Sequence, residues 1–168
     1  LQVAGARAAA VHAFGGPDPV AARSPGVPLR GLEVVAAPWL ASTAIQYRLA
    51  YAQPTRRQAY VESRWAAQPA QLVELALKRA VRTGGEAGTS GACRLRVELD
   101  EFAQVFDEAA ASRGVVEARA FLLAPRSDQI VASRGFSLAR PAPSADALGG
   151  VAALRGGVRQ MGVELSDW

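Results

Sequence analysis

The chain has 168 residues, half of them hydrophobic and a fifth charged, which is typical of a globular domain rather than of a disordered chain. Its formal charge of +4 and pI of about 10.0 would suit a nucleic acid or an anionic membrane, but the basic residues are spread along the chain, which argues against nucleic-acid binding. With one cysteine and one histidine, the sequence excludes an intramolecular disulfide and predicts no metal site and no cofactor. It contains no run of about 18 apolar residues that would predict a transmembrane helix.

The first part of the chain is expected to be an extension of one domain: residues 1–31 form an N-terminal extension and residues 32–168 the main body. The stretch AAVHAF at its start predicts a short strand. Four prolines and three glycines in residues 15–28 predict a loop or an extended crossing segment. Since the chain begins at Leu1 without methionine, we expect a signal or anchor segment to have preceded it.

Residues 32–65 read as a broken strand followed by a hairpin. Pro38 interrupts the first strand, GLEVVAAPWL. IQYRLAY (45–51) and QAYVESRW (58–65) alternate between apolar and polar residues, which predicts two paired strands. In the second of these, regular alternation would place Trp65 on one face with Val61 and Ser63, and Tyr60 on the other face with Glu62 and Arg64.

A helix is predicted from Pro69, whose missing N–H is harmless in a first turn, to about Arg82. Glu74 and Lys78 form an i,i+4 pair in the favourable order, and Gly84-Gly85 would end the helix ahead of a flexible GGEAGTSG loop. The apolar stripe of this helix consists of Leu72, Val73, Ala76, Leu77 and Ala80.

Residues 93–140 predict a three-stranded antiparallel meander, and the clearest strand is CRLRVELDEF. A last helix is predicted from Ser144, as N-cap, to about residue 166. Each glycine in it weakens the helix by roughly 1 kcal/mol relative to alanine, so packing must hold it. Its predicted apolar face consists of Leu148, Val151, Leu154, Val158, Met161 and Leu165. The fold class is therefore α+β, one domain with a mainly antiparallel sheet of five to seven strands and both helices on one face.

Few residues suggest chemistry. His12 has no nucleophile beside it in the sequence, and Cys93 begins an apolar strand face, which favours a buried, unreactive thiol. The carboxylates of residues 100–108 could serve a small hydrolase, but we interpret them as a solvated strand end and loop, so no catalytic residue is predicted. This acidic cluster consists of Asp100, Glu101, Asp107 and Glu108.

Five of the eleven aromatic residues fall within 27 positions, between residues 39 and 65. They are either the core of the hairpin or a docking surface, because Trp and Tyr dominate protein interfaces. A further expectation is that Trp65 anchors the hairpin to the helix that begins at Pro69. The five candidate docking aromatics are Trp39, Tyr47, Tyr51, Tyr60 and Trp65.

The segment from Pro38 to Val81 carries a Pro-Trp-Leu, an I.YRLAYA, an R.Y..SRWA..P..L and then a helix. In this combination it resembles the ABC-type transport auxiliary lipoproteins, the PqiC-like components that accompany MCE-type transporters. CRLRVELDEFAQVFD and RPAPSADALGGVAAL are similar to a later strand and the final helix of that family. The resemblance covers about residues 32–165.

The resemblance implies a non-enzymatic periplasmic auxiliary subunit of a lipid transport or membrane-integrity system, tethered to the outer membrane through a lipidated N-terminal cysteine. The implied partners are an MCE-type protein and ABC transporter components, with a lipid or membrane surface and a homo-oligomer as further possibilities, and no nucleic acid. Cys93 lies inside a strand, so the lipidated cysteine is expected upstream of this sequence. A generic periplasmic interaction module remains an alternative beside the hydrolase.

Overall fold

A computed structural model describes residues 8–15, 29–81 and 92–168. The loops predicted within residues 16–28 and 82–91, including the Gly84-Gly85 helix stop, lie outside these ranges. The described residues form seven strands and two α-helices, which confirms the predicted α+β fold. The strands are β1 Ala10–His12, β2 Leu29–Ala36, β3 Ala44–Leu49, β4 Gln53–Trp65, β5 Cys93–Glu108, β6 Ala111–Leu123 and β7 Ile130–Pro141, and the helices are α1 Pro69–Ala80 and α2 Ala147–Ser166.

The sheet has the order β1-β4-β3-β5-β6-β7, with β2 as a second neighbour of β5. Strands β2 and β3 lie end to end along the same side of β5 and run parallel to it, β2 beside residues 93–99 and β3 beside residues 103–106. A 3-10 turn at Pro38–Leu40 joins them. The sheet is therefore mixed rather than purely antiparallel, because the chain continues past Pro38 in one direction instead of turning back. The predicted meander β5-β6-β7 is antiparallel and is confirmed.

Strand β5 is longer than predicted, because the carboxylates after Leu99 do not end it. Its pairing with β6 changes register between Leu99 and Glu101, so Asp100 is the extra residue of a β-bulge. Leu95, Val97 and Leu99 face the helices before the bulge. After it the even-numbered positions do so, starting with Phe102. The prediction of a loop at residues 100–108 is wrong, since these residues lie within the sheet, but Asp107 and Glu108 are exposed at the strand end as expected.

The β3–β4 hairpin also departs from regular alternation. Ala44 pairs with Arg64 but Gln46 pairs with Ala59, so β4 carries extra residues between these two points. As a result Trp65 is fully buried while Val61 is 91% exposed, and Tyr60 packs against the same core as Trp65. The predicted assignment of Val61 to the Trp65 face, with Tyr60 opposite, is wrong because this bulge shifts the side chains.

Helix α1 forms as predicted. It begins at Pro69, and the side chains of Gln68 and Gln71 cap its first turn reciprocally. Lys78 Nζ lies 3.2 Å from Glu74 Oε2, which confirms the predicted i,i+4 pair. The buried side chains of the helix are Pro69, Leu72, Val73 and Leu77.

Helix α2 begins later than predicted, and its N-cap is Asp146 rather than Ser144. Asp146 Oδ1 accepts the Gly149 N–H at 2.9 Å, and Ser144 Oγ donates to the same oxygen at 2.5 Å. Leu148 lies on the solvent side of the first turn, 65% exposed, so the prediction that it belongs to the apolar face is wrong. Neither this helix nor any other described helix is long and apolar enough to span a membrane.

The glycines of α2 let its backbone approach the sheet and α1 closely. A Cβ atom at Gly150 would lie 2.3 Å from Gln104 Oε1, and one at Gly157 would lie 3.0 Å from Val116 Cγ2. Gly162 meets helix α1 in the same way, because a Cβ there would lie 3.0 Å from the Cβ of Ala80. Close packing therefore offsets the low helix propensity of these residues.

Candidate docking site around Glu101

The Pro-Trp-Leu turn is bound to the bulge of β5. Trp39 Nε1 donates to the Asp100 carbonyl at 2.9 Å, and Ala37 N donates to the Leu99 carbonyl at 2.9 Å. Gln46 of β3 in turn donates its amide to the Trp39 carbonyl at 2.6 Å. The turn between β2 and β3 thus has a defined position at the point where β5 changes register.

Glu101 lies beside this turn and is only 5% exposed. Arg57 of β4 binds both of its carboxylate oxygens, at 2.7 and 2.9 Å, and Arg48 Nη2 of β3 lies 3.3 Å from Oε2. The N–H of Phe102 donates to Oε1 at 3.0 Å. A buried carboxylate is costly unless it is paired and hydrogen-bonded, and here two arginines and a backbone amide meet that need.

Trp39 covers this ion-pair cluster from the solvent side. The Arg57 guanidinium carbon lies 5.4 Å from the centroid of the Trp39 ring, in cation–π geometry. Trp39 nevertheless remains 49% exposed. The result is an aromatic side chain whose orientation is set by a hydrogen bond and a cation while half its surface faces solvent.

Tyr47 and Tyr60 lie on the helix-facing side of the sheet. Their rings are 4.6 Å apart, and the Tyr60 hydroxyl donates to Gln104 Oε1 at 2.7 Å. Burial raises the pKa of the Tyr60 hydroxyl, with smaller contributions from Tyr47 and the Asp146 carboxylate. Tyr47 donates its hydroxyl to Gln58 at 3.1 Å. These two aromatics are therefore held by contacts within the fold.

The two remaining candidates have opposite environments. Trp65 is fully buried between Phe14 and Phe102, with ring centroids 5.5 and 5.4 Å away, so it offers no surface to a partner. Tyr51 lies in the turn between β3 and β4 and is 53% exposed. Of the five aromatics predicted to dock, the structure leaves Trp39 and Tyr51 available at the surface.

Two other carboxylates of the acidic cluster, Asp100 and Asp107, also bind arginine. Arg119 reaches Asp100 at 3.0 and 3.2 Å, and Arg113 Nε lies 2.9 Å from Asp107 Oδ2. Each of these carboxylates, and Glu101, has its own arginine partner. The sequence does contain a sign of the bulge in β5. The apolar residues occupy odd positions at 95, 97 and 99 and then an even position at Phe102, and such a shift in alternation indicates an extra residue in the strand.

Cys93 and His12 have structural contacts. Cys93 starts β5 and touches the core, but it is only partly buried, so full burial was a wrong expectation. His12 Nε2 lies 3.4 Å from Ser63 Oγ, beside the parallel pairing of β1 with β4. Within residues 8–15, 29–81 and 92–168, no three His, Cys, Asp or Glu side chains lie close enough to hold a metal ion.

The chain belongs to the ABC-type transport auxiliary lipoprotein component family, whose model matches residues 17–166. Comparison with curated proteins gave no match. A crystal structure from Xanthomonas campestris, of a protein assigned to a family of unknown function, superposes with a TM-score of 0.72 at 23% identity, covering 96% of this chain and 91% of that one. A second, uncharacterised protein gives a TM-score of 0.71 at 16% identity, covering 95% and 97%.

These two structures establish the fold. The family match confirms the resemblance seen in the sequence and makes the chain an auxiliary component of ABC-type transport. Membership in this family implies that the chain contacts other transporter components. A lipoprotein family suggests a membrane-anchored, periplasmic location.

Proposed function

We propose that this protein is a non-enzymatic subunit of an ABC/MCE-type system that moves phospholipids or maintains membrane integrity. It acts at the periplasmic side of the outer membrane, where it docks to an MCE-type protein. The family match supports the transport role. The MCE partner and the outer membrane follow from the resemblance of residues 38–81 to PqiC-like components.

One observation carries the docking role: Trp39 is half exposed yet held in place by Asp100 and Arg57. An aromatic side chain that is already ordered loses little conformational entropy on binding, and such residues are typical anchors of interfaces. Tyr51 provides a second exposed aromatic in the same family motif. We therefore place the docking surface on the Pro-Trp-Leu turn and the β3–β4 turn.

The environment of the carboxylates supports a role without catalysis. A general acid at neutral pH needs a carboxyl group that is free to exchange protons with a substrate. Asp100, Glu101 and Asp107 instead accept hydrogen bonds from Arg119, Arg57 and Arg113. These ion pairs join different strands of the sheet, which is a structural use of the charges.

The docking role is tested by measuring binding to the purified periplasmic part of an MCE-type protein from the same organism. Trp39→Ala and Tyr51→Ala should each weaken binding by about 30-fold, the effect of losing a 2 kcal/mol interface anchor. Val61→Ala is the matched control, because Val61 is apolar and highly exposed but lies outside the two turns, and it should bind normally. Normal binding by both aromatic variants would contradict the docking surface.

The non-enzymatic role is tested in cells by complementation of a membrane-integrity defect. Asp107→Asn and Glu108→Gln should complement fully, whereas Trp39→Ala and Tyr51→Ala should not. If the carboxylate variants lose function while both aromatics can be truncated freely, a hydrolase becomes the better interpretation. Binding of unrelated periplasmic proteins with equal affinity would instead favour a general interaction module.

A further inference from the structure

The borders of the sheet differ in how they are protected from pairing with another strand. At β2, the carboxylate of Glu74 on α1 accepts the Val34 N–H at 2.9 Å. Farther out on the same side of β5, β1 has only three residues, and the part of β4 that β1 does not reach carries Pro54 and a bulge. Helix cover, short length, proline and bulges are the usual means by which proteins prevent unwanted strand addition.

Strand β7 has almost none of these devices. It spans 12 residues, Ile130–Pro141, and within the described part of the chain it pairs only with β6. From Ala132 to Pro141 the pairing keeps one register, without a bulge. A long and regular edge strand of this kind is a ready template for another strand.

The outward-facing backbone groups of β7 can be identified from the ladder. Ala142 N donates to the Ser112 carbonyl at 2.9 Å, so position 142 directs its backbone groups toward β6. Directions alternate along an antiparallel strand, so the even-numbered residues of β7 also bond to β6. The odd-numbered residues direct their N–H and C=O groups outward, and these are Ser133, Gly135, Ser137 and Ala139, followed by Pro141 at the end of the strand.

The charges of β7 indicate what kind of strand would fit. Its only charged residues are Arg134 and Arg140, six positions apart on the helix-facing side. Arg134 lies 3.8 Å from Glu164, and Arg140 donates to the neutral Gln160 at 3.4 Å. A second copy of β7 would bring the same two arginines and no carboxylate, whereas an acidic strand would complement both.

We infer that β7 is a strand-addition site that takes an extended, acidic segment of a partner protein. The backbone of Ser133, Gly135, Ser137 and Ala139 provides the hydrogen bonds, and the small side chains at these positions leave room for the added strand. Arg134 and Arg140 select glutamate or aspartate on the incoming segment. The site lies apart from Trp39 and Tyr51, so this inference does not depend on the proposed docking surface.

The test uses two capped, fluorescein-labelled peptides in fluorescence anisotropy titrations at low salt. The first has the sequence VEVTVTVEV, which places two glutamates six residues apart, and the second replaces both glutamates with lysine. The acidic peptide should bind at least about tenfold more tightly than the basic one. Equal binding of the two peptides would overturn the inference.

Backbone involvement is tested with a matched pair of variants. Ser137→Pro removes one outward N–H without removing a bond to β6, and it should weaken binding of the acidic peptide by about tenfold. Ser137→Ala keeps the N–H and should bind within about twofold of the original chain. Circular dichroism checks that both variants fold. If Ser137→Pro folds and binds normally, the inference is wrong.

Arg140→Glu tests the inference even if Ser137→Pro does not fold. It leaves the β6 ladder intact and should abolish the preference for the acidic peptide, because one attractive charge pair is replaced by a repulsive one. Trp39→Ala should bind the acidic peptide normally. Sedimentation of the unmodified chain tests the competing occupant, because a dimer that Ser137→Pro dissolves would show that β7 pairs with a second copy and would overturn the inference.

Discussion

Helix α1 packs against the sheet through long and branched side chains, whereas α2 combines buried glycines and Ala153 with large core side chains. Leu72, Val73 and Leu77 of α1 fill the core, and a reciprocal glutamine cap starts the helix. In α2, Gly150 and Gly157 lie where the sheet leaves no room for a Cβ atom. The comparison teaches that one helix follows from local sequence signals, while the other is stable only because the sheet accepts its backbone at close range.

The largest effect should come from the side chains of α1. Leu77→Ala should lower the free energy of unfolding by about 2–5 kcal/mol, because Leu77 is fully buried and the cavity would lie next to Gly162 of α2. Urea unfolding measures the loss. Leu75→Ala on the same helix is the control, since Leu75 is half exposed and should change stability by less than about 0.5 kcal/mol. Equal losses would show that burial does not distinguish the two positions.

The neighbouring glycines of α2 should respond to alanine in opposite directions. Gly157→Ala should cost about 1–3 kcal/mol, because the new methyl group meets the buried Val116 side chain. Gly156→Ala should be neutral or stabilise by up to about 1 kcal/mol, because the methyl group meets only the movable end of Arg140, 3.3 Å away, and alanine favours helix. Thermal unfolding of both variants is the measurement, and stabilisation by both would refute close packing at Gly157.

The caps of the two helices should differ in their response to pH. The hydrogen bond from Ser144, followed by that from the Gly149 N–H, holds the pKa of Asp146 below its ordinary value of 3.8. Its stabilising contribution is therefore present above about pH 4 and is lost as pH falls through the lowered pKa. The stability difference between the original chain and Asp146→Asn should be constant near neutrality and shrink in acid.

The cap of α1 serves as the comparison for that pH series. Gln68 and Gln71 are neutral, so the loss caused by Gln71→Ala should not change through the same pH range. A parallel decline in both variants would assign the acid sensitivity to the whole domain and not to the Asp146 cap. Both series can be followed by urea unfolding between about pH 2 and pH 7.

The smallest effect should come from the surface ion pair of α1. Lys78→Ala should cost about 0.3–0.5 kcal/mol, because Glu74 keeps its bond to the Val34 N–H and only the exposed pair with Lys78 is lost. Raising the salt concentration should reduce the difference further. A loss above about 1 kcal/mol would mean that Lys78 also supports the β2 border.

Regular periodicity was enough to predict several elements. The alternation in CRLRVEL and the apolar stripe after Pro69 identified strand β5 and helix α1, and both are confirmed. The prediction failed where alternation breaks, at Asp100 and in β4 between Ala59 and Arg64. An extra residue in a strand switches the side of the sheet that every later side chain faces. The sequence analysis therefore assigned Val61, Tyr60 and Glu101 to the wrong environments.

The candidate site was predicted only in part for the same reason. The family motif singled out the segment that contains Trp39 and Tyr51, and both are exposed. Its central residue, Glu101, comes from a different strand and was interpreted as a solvated carboxylate. Its burial depends on Arg48 of β3 and Arg57 of β4, and pairs between strands cannot be read from local sequence.

By itself the sequence determined the helix from Pro69, the meander of residues 93–140 and the family, because each rests on side-chain spacing within one short segment. Only the tertiary structure decided that β2 and β3 lie parallel to β5, that Glu101 is buried, and that Gly157 is confined while Gly156 is not. The physical reason is that spacing sets the direction of a side chain along its own element. What that side chain meets depends on which distant strand or helix packs opposite, and that choice is made by the whole core.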